Sequence, residues 1–172
     1  MSRGLAILLS LMGVVASTVV MSGTAEAAVP LWEIQSPPGF QFGCLDIKTE
    51  DPPSNAQLQL WHCSGGDEQR FRLLNASAPG MVEIVDARNE NCLAVPPPNQ
   101  FTLRADLKMM PCTVQPNQLW TLETSGGYTT IRQVGSQFCL DRRDAGVSDG
   151  THIQQWTCTG NPAQKWRFFS HS

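Results

Sequence analysis

The sequence predicts an all-β protein built from three copies of one repeat. A Cys-Leu dipeptide opens each copy, a second cysteine follows 19 or 20 positions later, and a Gln-x-aromatic triplet begins six positions after that. Apart from the N-terminal run, no segment shows a sustained 3.6-residue apolar period, which argues against α-helices. Because chance does not hold cysteine, glutamine and aromatic residues in register three times, the repeat is the basis for the rest of the prediction.

The N-terminus has the features of a secretory signal peptide over residues 1–27. Arg3 precedes an uncharged apolar run from Leu5 to Met21, and small residues end at Ala25-Glu26-Ala27. An uncleaved membrane anchor is the alternative, since the run is almost long enough to span a bilayer. The A-x-A motif favours cleavage after Ala27. We therefore expect a secreted protein, extracellular or periplasmic, with no membrane span once the signal peptide is removed.

The remaining residues, 28–172, are enough for one domain with a hydrophobic core. The repeats divide it into copies of about 28–76, 77–124 and 125–172. The leader carries one basic and one acidic residue, so its removal leaves the net charge at −3. This balance argues against nucleic acid or an anionic membrane as a partner, because both attract clustered Lys and Arg.

Six cysteines in an exported chain of this size predict disulfides. Each copy owns two cysteines at matching offsets, so the repeat selects one set of pairs: Cys44–Cys63, Cys92–Cys112 and Cys139–Cys158. Zinc is the competing interpretation. The chain has no C-x₂-C pair, and its three histidines, His62, His152 and His171, do not recur together in the repeat. We therefore predict no metal site.

The sequence predicts about four short strands in each copy, and three of them can be located. Alternation and β-branched residues predict a strand before the first cysteine, at Trp32–Ile34, Val82–Ile84 and Thr130–Arg132. After a polar loop of turn-forming residues, a second segment is predicted at Gln57–Cys63, Leu103–Cys112 and His152–Cys158. A last strand follows at Phe71–Leu74, Trp120–Glu123 and Trp166–Phe169. The first copy has two extra residues around Pro37-Pro38-Gly39, and closing the set as a barrel would protect the strand edges.

Three copies of Cys-Leu-Asp…Gln-x-Trp-x-Cys…Gln-x-Trp, in altered form, resemble the ricin B-type lectins. The resemblance covers almost the whole chain after the leader, and it implies a β-trefoil fold. It also implies that the aromatic residues of the Gln-x-aromatic triplets, Phe71, Trp120 and Trp166, pack in the shared core. In that family each copy can carry one shallow sugar pocket on its outer side.

The resemblance places the pocket residues at fixed offsets from the two cysteines. An Asp stands two positions after the first cysteine, an aromatic residue two before the second, and a Gln two before that aromatic. These positions hold Asp46, Gln59 and Trp61 in the first copy, Asp141, Gln154 and Trp156 in the third, and Ala94, Lys108 and Met110 in the second. A carboxylate accepts sugar hydroxyls and an indole provides a flat apolar plane, so the second copy should be silent.

Two details bear on the strength of the pockets. The Asn that usually precedes the Gln of Gln-x-Trp is kept as Asn117 in the second copy, but it is replaced by Glu68 in the first and Ala163 in the third. The third copy is expected to bind better because of its Asp149-Gly150 turn. As an alternative, the Asp could tie down its own loop and the Trp could be a packed edge. The joint loss of these residues from the second copy favours pockets.

The sequence carries no pattern typical of catalysis or of a bound cofactor. Asp141 with Asp144, or Asp46 with Glu50, could be nominated as glycosidase carboxylates. They fall in hydrophilic loops where solvated surface charge is the commoner state. There is no nucleophile elbow and no phosphate-binding loop. We predict a protein that is not an enzyme.

Two functions are therefore carried forward. The first is a secreted lectin that binds glycans or glycoconjugates. The alternative is a cell-binding or delivery subunit of a multi-subunit toxin, resembling the trefoil subunits of cytolethal distending toxins, for which the tail from Ala28 to Gln41 could serve as a docking segment. A trefoil protease inhibitor ranks third, because those families lack the thrice-repeated Gln-x-Trp.

Overall fold

The computed structural model describes residues 29–37, 43–76 and 78–171. The predicted signal peptide, Ala28 and the Pro38-Gly39 part of the lengthened loop lie outside these ranges. Within them the chain forms twelve short strands and no α-helix, which confirms the all-β prediction. Six loops between the described strands contain a single turn of 3₁₀ helix, at Pro53–Asn55, Asp67–Gln69, Asn99–Phe101, Pro116–Gln118, Arg143–Ala145 and Pro162–Gln164.

Six of the strands form a closed barrel. They are β1 (Leu31–Gln35), β4 (Phe71–Asn75), β5 (Met81–Asp86), β8 (Trp120–Ser125), β9 (Tyr128–Gln133) and β12 (Arg167–His171). Antiparallel pairing runs from β12 to β1, β4, β5, β8 and β9 in turn. A bridge between Thr129 of β9 and Trp166, next to β12, closes the ring. Closure leaves the barrel without an unpaired edge.

The other six strands form three hairpins, one in each repeat. They are β2 (Gly43–Ile47) with β3 (Leu58–His62), β6 (Asn91–Ala94) with β7 (Lys108–Pro111), and β10 (Cys139–Arg142) with β11 (Thr151–Trp156). The second strand of each hairpin also contacts the neighbouring hairpin, so the three form a ring of their own. A six-stranded barrel with three hairpins is the predicted β-trefoil.

One predicted strand is shorter than expected. The segment from Leu103 to Cys112 forms a strand only at Lys108–Pro111. Arg104 has a positive φ of 64°, and the Leu107 amide donates to the Ile153 carbonyl of the third repeat at 2.9 Å. Residues 103–107 therefore bond to a neighbouring repeat instead of extending the pairing with β6, and a single-repeat pattern cannot reveal that.

The aromatic residues of the three triplets lie at the centre of the core. Phe71, Trp120 and Trp166 are each 0 % exposed. The indole N–H of Trp120 donates to the Leu93 carbonyl at 3.0 Å, and that of Trp166 donates to the Leu140 carbonyl at 3.2 Å. A buried indole needs such a partner, and each of the two tryptophans finds it on the first strand of its own hairpin.

One disulfide stabilises each repeat, with the predicted pairing. Cys44–Cys63, Cys92–Cys112 and Cys139–Cys158 have Cα–Cα distances of 5.1, 5.0 and 5.1 Å. Each joins the first strand of a hairpin to the end of the second, and closes a loop worth about 3 kcal/mol in the chain-entropy model. Within the described ranges, no helix has the length and apolar character needed to cross a membrane.

Replacing Trp166 with Ala should lower the free energy of unfolding by about 3–5 kcal/mol, because it leaves a large cavity in the core. Trp166→Phe should cost less, because Phe71 shows that the fold accepts a phenyl ring at the equivalent position. Urea unfolding of the three proteins measures both effects. An unchanged midpoint for the Ala variant would show that the core lies elsewhere.

Candidate functional site

The register of the hairpins brings the predicted site residues together. In the first repeat, Asp46 on β2 lies opposite Gln59 on β3, and Trp61 follows two residues later. Side chains two apart on a strand share a face, and so do residues directly opposite each other on paired strands. Leu45 and Leu60 point the other way and are buried in the core. The three site residues therefore lie on the outer face of the hairpin.

The carboxylate of Asp46 is fixed by two glutamine amides. Gln59 Nε2 donates to Asp46 Oδ1 at 2.8 Å, and Gln69 Nε2 donates to Oδ2 at 2.9 Å. Gln69 is fully buried, and it also donates to the His62 carbonyl and accepts from the Ser64 amide. We call this pair of glutamines the amide clamp. Gln69 belongs to the Gln-x-aromatic triplet, whose recurrence was the available signal for a role that the sequence analysis did not assign.

The third repeat has the same amide clamp. Asp141 lies opposite Gln154, and Trp156 follows on β11. Gln154 Nε2 donates to Asp141 Oδ1 at 2.9 Å, and Gln164 Nε2 donates to Oδ2 at 3.0 Å. Gln154 is only 3 % exposed, and its Oε1 accepts from Arg143 Nε at 3.0 Å. The buried Gln154 thus positions the carboxylate of Asp141, a role that was not expected from the sequence.

Burial raises the pKa of both carboxyls. Desolvation raises the pKa of Asp46 above its ordinary value, and hydrogen bonds from Gln59 and Gln69 offset part of the rise. The pKa of Asp141 is raised for the same reason, with Gln154 and Gln164 opposing the effect. The protein therefore holds two desolvated carboxyls at its surface, each 3–4 % exposed.

The second repeat lacks this arrangement. Ala94 is fully buried where the Asp would stand, opposite Lys108, and Met110 occupies the position of the tryptophan. Gln118 keeps its backbone bond to the Pro111 carbonyl at 2.7 Å, but it has no carboxylate partner. Asn117, the Asn that the second copy keeps, is buried and donates to the Val95 carbonyl at 3.0 Å. This repeat is a natural comparison for the other two.

The pocket of the first repeat is a cleft of about 680 Å³. Asp46 lies at its base, and Trp61, 36 % exposed, forms part of its wall. The cleft extends across β3 onto the third repeat. Its other lining residues include Lys48, Glu50, Gln57, Gln59, Glu68, Gly150 and His152.

The pocket of the third repeat is smaller, about 260 Å³. Arg104 of the second repeat reaches over it, with its guanidinium carbon 5.9 Å from the ring centre of Trp156. Arg104 Nη2 also donates to both carboxylate oxygens of Asp144 at 3.0 Å. The repeat pattern does not reveal Arg104, and from sequence we expected the third copy to bind better than the first. The first cleft has the larger volume of the two.

The replacements for the usual Asn differ between the two pockets. Glu68 lines the first cleft, and its Oε1 accepts from Ser64 Oγ at 3.0 Å. Ala163 is buried in the third pocket and brings no polar group. Asn161 lines that pocket instead. Its Oδ1 accepts from the Ala163 backbone amide at 2.8 Å, and its side-chain nitrogen Nδ2 has no partner among the described residues.

The described residues include two clusters with metal-ligating atoms close together: Glu33 with the Cys44–Cys63 disulfide, and Glu83 with the Cys92–Cys112 disulfide. Metals bind thiolates, and a disulfide sulfur is not a thiolate. Neither cluster fits a metal. Among the carboxylates nominated for glycosidase chemistry, Asp144 is paired with Arg104.

This chain matches one part of a longer curated protein. Over 128 residues, 74 % of this chain, the protein is 27 % identical to Serine protease 1 of Rarobacter faecitabidus. The match covers 22 % of that protein, so the chain spans about a fifth of the length of this curated relative.

Solved structures share the fold. The designed threefold-symmetric protein ThreeFoil is 24 % identical with a TM-score of 0.73, and the match covers 80 % of this chain and 96 % of ThreeFoil. A chain of the Haemophilus ducreyi cytolethal distending toxin is 12 % identical with a TM-score of 0.62, covering 79 % of this chain and 81 % of that one. Identities this low show the fold alone.

A family model described as the ricin-type beta-trefoil lectin domain matches residues 33–166, which is most of the chain. That span includes all three disulfides, both amide clamps and the three core aromatic residues. The protein belongs to the ricin-type β-trefoil lectin domain family.

Proposed function

We propose that this protein is a secreted lectin that binds glycans through the pockets of its first and third repeats. One observation carries the proposal. A buried carboxylate held by an amide clamp lies beside the tryptophan of the same hairpin in two repeats, and both features are absent from the second.

The amide clamp leaves each carboxylate able to accept further hydrogen bonds. An ionised carboxylate has about four lone-pair sites, and Gln59 and Gln69 use one on each oxygen of Asp46. The remaining sites can accept two neighbouring hydroxyls of a pyranose, and hydrogen bonds to a charged acceptor are the stronger kind. Trp61 offers its exposed face to the C–H side of the ring. In the third pocket Asp141 and Trp156 take these roles, and Asn161 supplies an amide donor.

The binding strength of each pocket should be modest. A shallow site with few polar contacts commonly gives a Kd near the millimolar range, about −4 kcal/mol. The first repeat should bind more strongly, because Arg104 covers part of Trp156 in the third. Useful affinity then arises when both sites engage one branched or clustered glycan, which turns the second contact into an intramolecular step.

The proposed location is outside the cytoplasm, after removal of residues 1–27, with a single trefoil domain from residue 28 onward. Three disulfides support an oxidising compartment. The proposal is one of binding without catalysis. Asp46 and Asp141 accept hydrogen bonds from side-chain amides, and Asp144 pairs with a guanidinium.

A second candidate is a delivery subunit that docks onto a toxin partner. The observation that favours it is in the second repeat, which lacks the clamped carboxylate and the tryptophan but exposes three large apolar side chains, Phe101, Leu103 and Val114, at 66, 42 and 51 %. Exposed apolar surface of this kind can be covered by a partner.

Asp46→Ala and Asp141→Ala should each weaken binding to an immobilised branched glycan by about tenfold or more, because each removes hydrogen bonds to a charged acceptor. The double variant should abolish binding with little change in melting temperature. Met110→Ala, at the position equivalent to Trp61 in the second repeat, is the matched control and should bind like the wild type. Glycan-array binding followed by biolayer interferometry measures the series.

Full glycan binding by the double variant would place the pockets elsewhere. If the wild-type protein binds no glycan on the array but captures a defined secreted toxin subunit, the delivery function replaces the lectin function. In that case substitutions at Phe101 and Leu103 should weaken the capture.

Acid should weaken glycan binding, beginning above the ordinary Asp pKa of about 3.9, because the pKa values of Asp46 and Asp141 are raised and a protonated carboxyl loses acceptor sites. Stability responds in the opposite direction. A folded-state pKa above the unfolded value gives a stabilising contribution below the unfolded pKa, and this contribution is lost as pH rises through the folded pKa.

Glycan affinity and thermal unfolding, measured together from neutral pH down to about pH 3.5, test whether acid weakens binding while it raises the stability contribution of the two carboxyls. The Asp46→Ala/Asp141→Ala protein is the reference for the stability contribution. Glycan affinity that stays constant to below about pH 3.9 would contradict the role of a desolvated carboxylate.

A further inference from the structure

The three hairpins contact one another in a cyclic way. Each contact joins a residue of one repeat to the Gln59-equivalent position of the next: Gln57 with Lys108, Asp106 with Gln154, and His152 with Gln59. The three residues that begin these contacts, Gln57, Asp106 and His152, are equivalent by the repeat. Each pocket therefore lies beside residues that the neighbouring repeat supplies.

Two positions before His152 stands Gly150, and two positions before Asp106 stands Arg104. Each lines the pocket of the next repeat. The Gly150 amide donates to the Leu60 carbonyl at 2.9 Å, and the Arg104 amide donates to the equivalent Gln155 carbonyl at 3.0 Å. Both residues have positive φ, 81° for Gly150 and 64° for Arg104. The backbone therefore has a similar φ and makes the equivalent hydrogen bond at both positions, whereas the side chains differ.

This one difference matches the difference in pocket size. Gly150 lines the first cleft, and a Cβ added there would meet no atom within 4 Å. Arg104 fills the equivalent space in the third pocket, where it covers Trp156 and pairs with Asp144. The first cleft has about 680 Å³ and the third about 260 Å³. Pockets for drug-sized ligands occupy roughly 300–1,000 Å³, and of these two clefts the first falls within that range.

His152 offers a hydrogen-bond donor in the open part of the first cleft. Its Nδ1 lies 2.7 Å from Gln57 Nε2 and 3.3 Å from Arg143 Nη1. A guanidinium can only donate, so Nδ1 accepts and the ring proton is assigned to Nε2. Asp106 Oδ1 also lies 3.3 Å from Nδ1 and accepts from Arg143 Nη2 at 2.5 Å, so the assignment rests on the Arg143 guanidinium. Nε2 has no partner within the described part of the chain.

We propose that the first cleft contains a second sugar subsite formed across two repeats, so that this site takes an oligosaccharide of at least two units. One unit binds at Asp46 and Trp61. The next lies over Gly150, where His152 Nε2–H donates to a hydroxyl or ring oxygen and Gln57 lines the floor. The subsite rests on the proposed lectin function. The third pocket has its equivalent subsite filled by Arg104 and takes one unit.

The test is isothermal titration calorimetry on the full chain with free galactose, mannose and N-acetylglucosamine, each beside its own linear di- and trisaccharide. For the sugar that binds, the wild-type protein should bind the trisaccharide at least tenfold more tightly than the monosaccharide. Gly150→Arg, which copies the third pocket, should reduce this ratio to near one. His152→Ala should reduce it severalfold, and it keeps the test usable if Gly150→Arg folds poorly.

A second experiment opens the third pocket in a protein whose first pocket has been inactivated by Asp46→Ala. Asp46→Ala should show no preference for the trisaccharide, and adding Arg104→Gly should create one. A wild-type ratio near one, or a ratio unchanged by both Gly150→Arg and His152→Ala, would overturn the subsite while leaving the lectin function in place. Failure of every saccharide to bind would overturn the proposed function and the subsite with it.

Discussion

The hydrogen bond between Gln164 Nε2 and Asp141 Oδ2 joins the interior of this protein to its surface. Gln164 is two residues from Trp166, which is fully buried and bonded to the Leu140 carbonyl. Leu140 in turn precedes Asp141. A short closed circuit of core packing and hydrogen bonds therefore sets the position of the carboxylate, and Gln69 and Phe71 build the same circuit around Asp46, without the indole hydrogen bond. The packed core therefore fixes the position of the carboxylate in each pocket.

Such a design has a thermodynamic consequence. Asp46 and Asp141 are only 3–4 % exposed, so their carboxylates are partly desolvated, and the raised pKa of each reflects this desolvation. The two amides of each clamp replace part of the hydrogen bonding that water would give the carboxylate. Its remaining lone pairs can accept from the hydroxyl groups of a sugar. The second repeat, with a buried Ala94 in this place, contributes to the core without that electrostatic cost.

Much of this arrangement could be predicted from the sequence, because it repeats. Offsets between cysteines gave the disulfides, and the three triplets located Phe71, Trp120 and Trp166. Contacts within one repeat are encoded by local spacing. Contacts between repeats are not, since they depend on how three hairpins meet in a ring. Arg104 and His152 belong to this class, as do the shortened strand at Lys108–Pro111 and the difference in pocket size.

We propose that sugars contact the protein at Trp61 and Trp156 and leave the core indoles undisturbed. The chain has five tryptophans, so ¹⁵N–¹H spectra of the indole groups report on each environment separately. Titration with a bound glycan should shift the signals of Trp61 and Trp156 and leave those of Trp32, Trp120 and Trp166 in place. Asp46→Ala should remove the Trp61 shift alone. Glycan binding without a shift at either Trp61 or Trp156 would show that the sugar binds outside these two pockets.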